Sequence, residues 1–188
     1  MSTILKGSSV PLKTRCPLSV SLHWTDFADY DISVYYRAKD GSSGLIYFGG
    51  HQNTNGRNNS SKSELGSLSR FPFILLAGDD DLGDWDGENE ERLHIEHLDE
   101  MSEVYLLCWD YEGVTSGENA PFSKGDVSIR IKDEQENEQL LLLCSNAIGN
   151  IAAIAKLEPT EAGVVAHNIS STGTLKELSF KEIASVCI

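Results

Sequence analysis

The chain of 188 residues is poor in basic side chains: it has 15 Lys and Arg against 29 Asp and Glu, a formal net charge of -14 at pH 7. Nucleic acids and anionic membranes attract proteins through patches of Lys and Arg, so this balance argues against both as partners. Apolar runs are short, and none reaches the roughly 20 residues that span a bilayer. Because MSTILKGSSV at the start also lacks the apolar core of a signal peptide, we expect a cytoplasmic protein without membrane insertion.

Cysteine is scarce and its spacing carries no motif. Cys16, Cys108, Cys144 and Cys187 are far apart in the sequence, and no C-x-x-C pair occurs. This spacing argues against zinc ribbons and against thioredoxin-like redox chemistry. We expect free thiols, buried as small apolar side chains, in a reducing compartment.

Motifs of the common enzyme classes are also missing. The chain contains no G-x-S-x-G elbow, no H-E-x-x-H zinc helix and no glycine-rich phosphate loop. His94 and His97 are three residues apart in a predicted strand, so their side chains would point to opposite faces and could not share a metal. We therefore predict a protein that is not an enzyme.

Strand patterns fill most of the sequence. Apolar and polar residues alternate in Leu18–Trp24 and again in 127–131, as in strands with one face in a core. Segments 32–38 and 103–110 are rich in β-branched and aromatic residues, and the second has the apolar content of a strand buried on both faces. About ten short strands separated by turns, without alternating helices, predict an all-β protein. An antiparallel β-sandwich is the first choice of architecture, and a closed barrel the second.

We expect one domain over residues 1–188, with its core at about 17–169 and a C-terminal extension at 170–188. Segment 50–70 is rich in Asn, Ser and Gly, and it is long for a connection without structure, so mobility is the expectation there. In the extension, Thr174 followed by Glu177 resembles a capping box. Leu175, Leu178 and Ile183 would then share one face of a short C-terminal helix.

The densest chemical signal is segment 78–91, GDDDLGDWDGENEE, which holds eight acidic residues and no basic one. Two like charges about 4 Å apart repel by roughly 1 kcal/mol even in water, so such a cluster either stays solvated or draws in cations. Gly78, Gly83 and Gly87 allow sharp backbone turns that aim several oxygens at one point. Calcium takes six to eight oxygen ligands in a flexible shell, which favours a calcium site over a solvated loop that binds nothing.

The acidic segment does not have EF-hand spacing. An EF-hand loop requires Gly at position 6 and Glu at position 12. Placing Gly87 at position 6 puts Leu82 at position 1 and Leu93 at position 12, and placing Gly83 there puts Gly78 at position 1. The segment alone therefore cannot close a calcium shell in that way, and it must borrow oxygens from turns distant in sequence.

The order of these features resembles the tellurium-resistance TerD domain proteins, which are bacterial stress-response modules. The likeness rests on the strand LSVSLHW, the pair Asp29 and Asp31 downstream of it, the acidic segment, and a strand ending in Trp109 and Asp110. It covers the chain from about Pro17 to Ile169. The resemblance implies a β-sandwich that binds two calcium ions close together and works with a protein partner that the sequence does not identify.

The resemblance also implies a set of ligands, from the acidic segment, from the earlier turn and, more weakly, from the end of the later strand. The candidates are Asp29, Asp31, Asp79, Asp80, Asp84, Asp86, Glu88, Glu90 and Asp110. This chain departs from the family pattern: Asp80 stands where Asn is usual, Leu82 where Thr is usual, and Glu88 and Asn89 where aspartates are usual. Because Asn89 keeps an oxygen but loses a charge, we expect one or two bound calcium ions, with fewer than two of them tight.

An alternative is a carbohydrate-binding or glycan-processing sandwich, in which an exposed aromatic ring stacks on a sugar and carboxylates act as acid and base. Trp85, between Asp84 and Asp86, is the natural candidate. Trp24 and Trp109 lie in strand patterns and are expected in the core.

Overall fold

The computed structural model describes residues 2–12, 16–25, 28–54, 64–77, 89–122, 126–143, 148–176 and 179–187. Two seven-stranded sheets face each other across an apolar core, which confirms the predicted β-sandwich. The predicted ten or so strands are in fact sixteen among the described residues, because several of them have only two to four residues.

The first sheet is built around the alternating strand that the sequence predicted. Its strands in spatial order are β1 (Ser2–Ile4), β13 (Glu138–Leu142), β12 (Ser128–Asp133), β3 (Leu18–Trp24), β9 (Asn89–Ile95), β8 (Ile74–Leu76) and β7 (Gly66–Ser67). All pairs are antiparallel except β1 with β13. Alternate residues of β3 are buried against the second sheet, so its intervening residues form the outer face of the molecule.

The second sheet contains the longer and more apolar strands. Its order is β2 (Ser9–Pro11), β16 (Gly163–Gly173), β15 (Ile151–Thr160), β10 (Met101–Asp110), β4 (Tyr30–Ala38), β5 (Ser43–Tyr47) and β6 (Gly50–Asn53), all antiparallel. A separate ribbon pairs β11 (Ala120–Pro121) with β14 (Ile148–Gly149). As predicted, β10 is buried on both faces.

Two apolar clusters explain why the middle of the second sheet needs no polar face. The inter-sheet core takes one face of β4, including Ile32 and Val34. Tyr35 on the other face joins Trp109 and Ile183 in a second cluster beneath the C-terminal helix. The extension therefore covers a sheet face that would otherwise be exposed.

Of the two helices in the described chain, one was not predicted from the sequence and the other was predicted with a different start. Helix α1 (Tyr111–Ser116) lies in a segment predicted to be turns only, and the Asp110 side chain caps it by accepting from the Gly113 N–H. Helix α2 (Phe180–Val186) confirms the predicted C-terminal helix, but it begins at Ser179 and not at Thr174. Ser179 and Glu182 have the S-x-x-E spacing of a capping box, which was the better signal.

The Asn, Ser and Gly-rich segment 50–70 is not without structure at its ends. Its first residues form β6 and residues 66–67 form β7, whereas 55–63 lie outside the described residues. The expectation of an unstructured connection is therefore wrong for both ends. The hydroxyl of Tyr36 holds β6 in place, because it bonds to His51 Nε2 at 2.8 Å and accepts from Asn53 Nδ2 at 3.0 Å.

Within the described ranges, neither helix has the length and apolar content required to cross a membrane. Cys16, Cys108 and Cys187 are free thiols, the last two of them buried, and Cys144 lies outside the described residues.

Candidate functional site

The structure describes four of the nine predicted calcium ligands. These are Asp29, Asp31, Glu90 and Asp110. The other five fall in 78–88, which lies outside the described residues together with Trp85: Asp79, Asp80, Asp84, Asp86 and Glu88. For those five the ligand assignment stays a prediction.

Strand register brings the aspartates of β4 and β10 to the same end of the second sheet. Asp31 is opposite Trp109 and Asp110 is opposite Tyr30. The Tyr111 N–H donates to the Asp29 carbonyl at 3.0 Å, which holds the turn before β4 against the end of β10. Asp31 and Asp110 are only 6% and 7% exposed, whereas the Asp29 side chain is open to solvent.

The acidic segment enters the first sheet at this same end. It runs into Asn89, the first residue of β9, which is paired with Trp24 at the end of β3. The Trp24 ring contacts the Tyr30 ring edge-on at 5.9 Å, so the ends of β3 and β4 meet across the sandwich. The tertiary structure therefore places the start of β9 at the same end of the sandwich as Asp31 and Asp110.

Glu91 is the residue that joins the two sheets here, and the sequence analysis did not identify it. Its carboxylate accepts a hydrogen bond from the Ile32 N–H on β4. Strand β5 pairs with β4 only over residues 34–37 of β4. Because β5 does not extend to Ile32, Glu91 supplies the acceptor for the Ile32 N–H. Leu93 and Ile95 are core residues, and counting back by two from Leu93 places Glu91 on the inward face. This alternation is the feature of the sequence from which the inward position of Glu91 could have been predicted.

Glu90 points the other way. It lies on the outer face of the first sheet, where its carboxylate forms an ion pair with Arg92 and lies 3.4 Å from His23 Nε2. A hydrogen bond from Arg92 is the main cause that holds the pKa of Glu90 below its usual value. The structure thus separates Glu90 from Asp110, whose side chain is on the inner face of the second sheet with Tyr30.

The electrostatics of the buried Cys108 reflect the acidic residues at this end of the sandwich. Burial raises the pKa of this thiol well above its usual value, and the charges of Glu91, Asp31 and Asp110 raise it further. Cys108 is fully buried on the inner face of β10. Negative charge from β4, β9 and β10 therefore accumulates at this end of the sandwich, and a cation bound there would offset it.

Asp110 has a structural role as well. Its Oδ1 accepts from the Gly113 N–H at 3.0 Å, and its own N–H donates to the Asn150 carbonyl at 2.9 Å. This oxygen is committed to the first turn of α1. A cation near Asp110 could be bound only through the acceptor positions of its carboxylate that this hydrogen bond leaves unused.

The donor chemistry of this cluster suits calcium, since Asp31, Glu91 and Asp110 offer carboxylate oxygens and Asn89 an amide oxygen. The arrangement is incomplete, however. In the part of the chain that the structure describes, no three His, Cys, Asp or Glu side chains are grouped so as to hold a metal ion. A calcium site at this end therefore requires further oxygens from 78–88.

Two of the three tryptophans are core residues, as predicted. Trp24 is 6% exposed and donates to the Ala28 carbonyl at 2.8 Å. Trp109 is fully buried, stacks on Tyr47 at 6.1 Å and donates to the Ser33 hydroxyl. Neither ring is open to a sugar, so the carbohydrate alternative depends on Trp85 alone.

Comparison with known proteins finds similar folds but no related sequence. No family model and no curated protein matches the chain. Among solved structures, it is similar to a homologue of the telluride resistance protein TerD from Streptomyces coelicolor A3(2), with 12% identity and a TM-score of 0.47 over 82% of this chain and 88% of that one. It is also similar to protein SAV2460, of unknown function, with 12% identity and a TM-score of 0.45 over 86% and 93%.

With TM-scores below 0.5, these similarities assign no family to this chain. At 12% identity the likeness concerns the fold, and it transfers no ligand and no residue role to this chain.

Proposed function

We propose that this protein is a non-enzymatic, calcium-binding module of the TerD type, working in the cytoplasm as part of a stress response through a protein partner. The observation that carries the proposal is that Asp31, Asp110 and Glu91 all lie at the end of the sandwich where the acidic segment joins β9. Calcium bound there would link the two sheets and screen the repulsion among the carboxylates. The ordered surface would then be available to a partner.

The argument from charge is independent of the family. Segment 78–91 contributes eight acidic residues, and the sandwich adds buried carboxylates at the end of β4 and at the end of β10. Burying like charges without cations is costly, because each carboxylate loses solvation and repels the next. A divalent cation offsets both costs at once.

Calcium titration with thermal unfolding tests the proposal. Protein freed of metal with a chelator should melt at a higher temperature as calcium is added, because a ligand that binds only the native state stabilises it. The Asp86→Ala, Glu91→Gln and Asp31→Asn variants should each lose part of this increase. Absence of any stabilisation at millimolar calcium, with the three variants behaving as the parent does, contradicts the proposal.

A matched control comes from the far end of the first sheet. Glu134 is exposed in the turn between β12 and β13, and β12 runs past β3 so that Asp133 lies opposite Leu18, at the end away from Trp24. Glu134→Gln removes one negative charge without touching the acidic end. Its calcium-dependent increase in melting temperature should equal that of the parent.

The number of ions is a separate expectation. Because Asn89 brings an amide where the family pattern has a carboxylate, calorimetry should detect fewer than two tight calcium sites. Two equivalent high-affinity sites would refute this part of the proposal and leave calcium binding itself intact.

A further inference from the structure

The edge strand β6 of the second sheet is held by a tyrosine that reaches it across an intervening strand. Tyr36 on β4 pairs with Gly44 on β5, and Gly44 pairs with Asn53 on β6, so the three residues form one row across the sheet. In the next row, Ile46 on β5 pairs with His51 on β6. Because Tyr36 and Ile46 are core residues, strand alternation places His51 and Asn53 on the inward face with them.

Gly44 gives the ring of Tyr36 its path to β6. A Cβ atom at position 44 would overlap both Cζ and the hydroxyl oxygen of Tyr36, so the ring lies directly over the glycine. The ring is fully buried, and its hydroxyl reaches between two side chains of β6. It lies 2.8 Å from His51 Nε2 and 3.0 Å from Asn53 Nδ2.

The chemistry of these groups assigns the donors and acceptors. The Asn53 amide nitrogen only donates, so the Tyr36 hydroxyl accepts from it and has its own proton to donate. His51 Nε2 is the acceptor of that proton, and it accepts only when it carries no proton of its own. Burial and the charge of Asp40 raise the pKa of Tyr36, which keeps the hydroxyl protonated. The bond between the two rings therefore requires a neutral His51.

The surroundings of His51 favour its neutral form. Burial lowers the pKa of this histidine, and the charge of Glu64, shortly before β7, opposes burial with a smaller effect. On the other face of β6, Gln52 Nε2 donates to the Tyr47 hydroxyl at 3.1 Å, and neither of these groups titrates near neutral pH. His51 is therefore the residue of β6 whose charge changes in that range.

We propose that Tyr36, His51 and Asn53 form a pH-sensitive latch, which holds β6 in the second sheet at neutral pH and releases it on mild acidification. A proton on His51 Nε2 would face the hydroxyl proton of Tyr36, so their hydrogen bond is lost when the ring is charged. Separation of β6 brings the charged ring into water. It also makes β5 the edge of the sheet. The latch uses none of the residues of the acidic end.

The direction of the pH effect follows from the burial of the ring. A histidine whose pKa is lower in the closed state than in the open state binds a proton more readily when the strand is open. Opening therefore becomes more favourable as pH falls below 6.5, the usual pKa of histidine, and it does not change with pH well above this value. Since 6.5 lies just below neutral, a modest fall in pH is enough.

Hydrogen exchange followed by NMR tests the latch in the full chain, in buffer with a calcium chelator. The reporters are the amides of β6 and that of Thr54, which donates to the Ser43 carbonyl at 2.9 Å. After correction for intrinsic exchange, their protection should fall by as much as about tenfold between pH 7.5 and pH 5.5, because a histidine one unit below its usual pKa is about ten parts protonated to one in the open state. The amides of the central strand β10 should keep their protection.

Two glutamine variants separate the latch from other effects of acid. His51→Gln retains a side-chain oxygen that accepts from Tyr36 and does not titrate, so protection of β6 should be the same at both pH values. His94→Gln is the matched control, because it removes an exposed histidine from β9 in the first sheet. It should keep the full pH dependence of the parent. In the parent itself, the Cε1 proton signal of His51 should titrate with a midpoint below 6.5.

The inference is overturned if protection of β6 in the parent does not depend on pH, or if His51→Gln shows the same pH dependence as the parent. A His51 ring that titrates at 6.5 or above would also overturn it, and this measurement requires no variant. Since every experiment is made without calcium, none of these outcomes depends on whether the acidic end binds metal.

Discussion

The Glu91 carboxylate on β9 accepts a hydrogen bond from the Ile32 N–H on β4, so one side chain joins the two sheets at the acidic end of the sandwich. Its neighbour Glu90 points outward to Arg92. Strand alternation thus assigns two adjacent glutamates to different faces and different chemistry.

Glu91→Ala should destabilise the protein by about 1–3 kcal/mol, because it leaves a partly buried N–H without its acceptor. Glu91→Gln retains an oxygen and should cost less. Urea unfolding without calcium measures both values. If the two variants unfold at the same urea concentration as the parent, the bond has no structural importance.

Calcium affinity should also distinguish Glu91 from Glu90. Glu91→Gln should weaken calcium binding more than Glu90→Gln, because Glu91 faces inward to the Ile32 N–H at the acidic end, whereas Glu90 faces outward to Arg92. Isothermal calorimetry compares the two variants directly. A larger loss in Glu90→Gln would restore the ligand assignment made from the sequence.

Ser179→Ala should loosen the C-terminal helix. The Ser179 hydroxyl accepts from the Glu182 N–H at 3.3 Å, and loss of such a cap costs about 1 kcal/mol. Hydrogen exchange should become faster at the amides of α2 and remain unchanged in β3. Lys181→Ala, on the same helix but outside the cap, provides the comparison, and equal acceleration in both variants would count against the capping role.

Asn150→Ala should be among the more damaging polar substitutions. Asn150 is fully buried, its Nδ2 donates to the Leu175 carbonyl at 3.0 Å, and its Oδ1 accepts from the Leu175 N–H at 2.7 Å. Removing the amide leaves two buried backbone groups unpaired, at about 1–3 kcal/mol each. Thermal unfolding should show a clear drop, whereas Gln135→Ala in an exposed turn should not. A drop of similar size in both variants would argue against a stabilising role for the Asn150 hydrogen bonds.

The ion pairs of Glu103 should make stability depend on acid pH. Burial acts to raise the pKa of this carboxyl, but hydrogen bonds from Lys156 and Tyr105 prevail and the pKa is lowered. A carboxyl with a lowered pKa in the folded state stabilises the protein above its unfolded pKa, and this contribution is lost as pH falls through the folded pKa. The stability difference between parent and Glu103→Gln should therefore be present at neutral pH and shrink as pH falls below 4.5, the usual pKa of a glutamate. A difference that stays constant down to pH 3 would contradict this assignment.

Cys16 should react slowly with alkylating reagents. Burial, together with the charges of Asp99 and Glu96, raises the pKa of its thiol to about 12, so little thiolate is present at neutral pH. Mass spectrometry after iodoacetamide treatment at pH 8 should show Cys16 largely unmodified in native protein and modified after unfolding. Fast modification in the native state would be inconsistent with the raised pKa of this partly buried thiol.

The sequence by itself determined the fold class and the location of most strands. Alternation in Leu18–Trp24 and the apolar content of 103–110 follow from the strand period of two and from burial, both of which are local properties of the chain. Local chemistry also identified the acidic segment. The helix α1 was missed because its cap, Asp110, is also the last residue of a strand.

Only the tertiary structure decided which acidic residues meet. Asp31, Glu91 and Asp110 are far apart in sequence, and the pairing of β4 with β10 and the packing of β9 against β4 bring them to the same end of the sandwich. The pairing of β4 with β5 and of β5 with β6 likewise aligned Tyr36, Gly44 and Asn53. Register depends on contacts between strands distant in the chain, and no local pattern of residues specifies it.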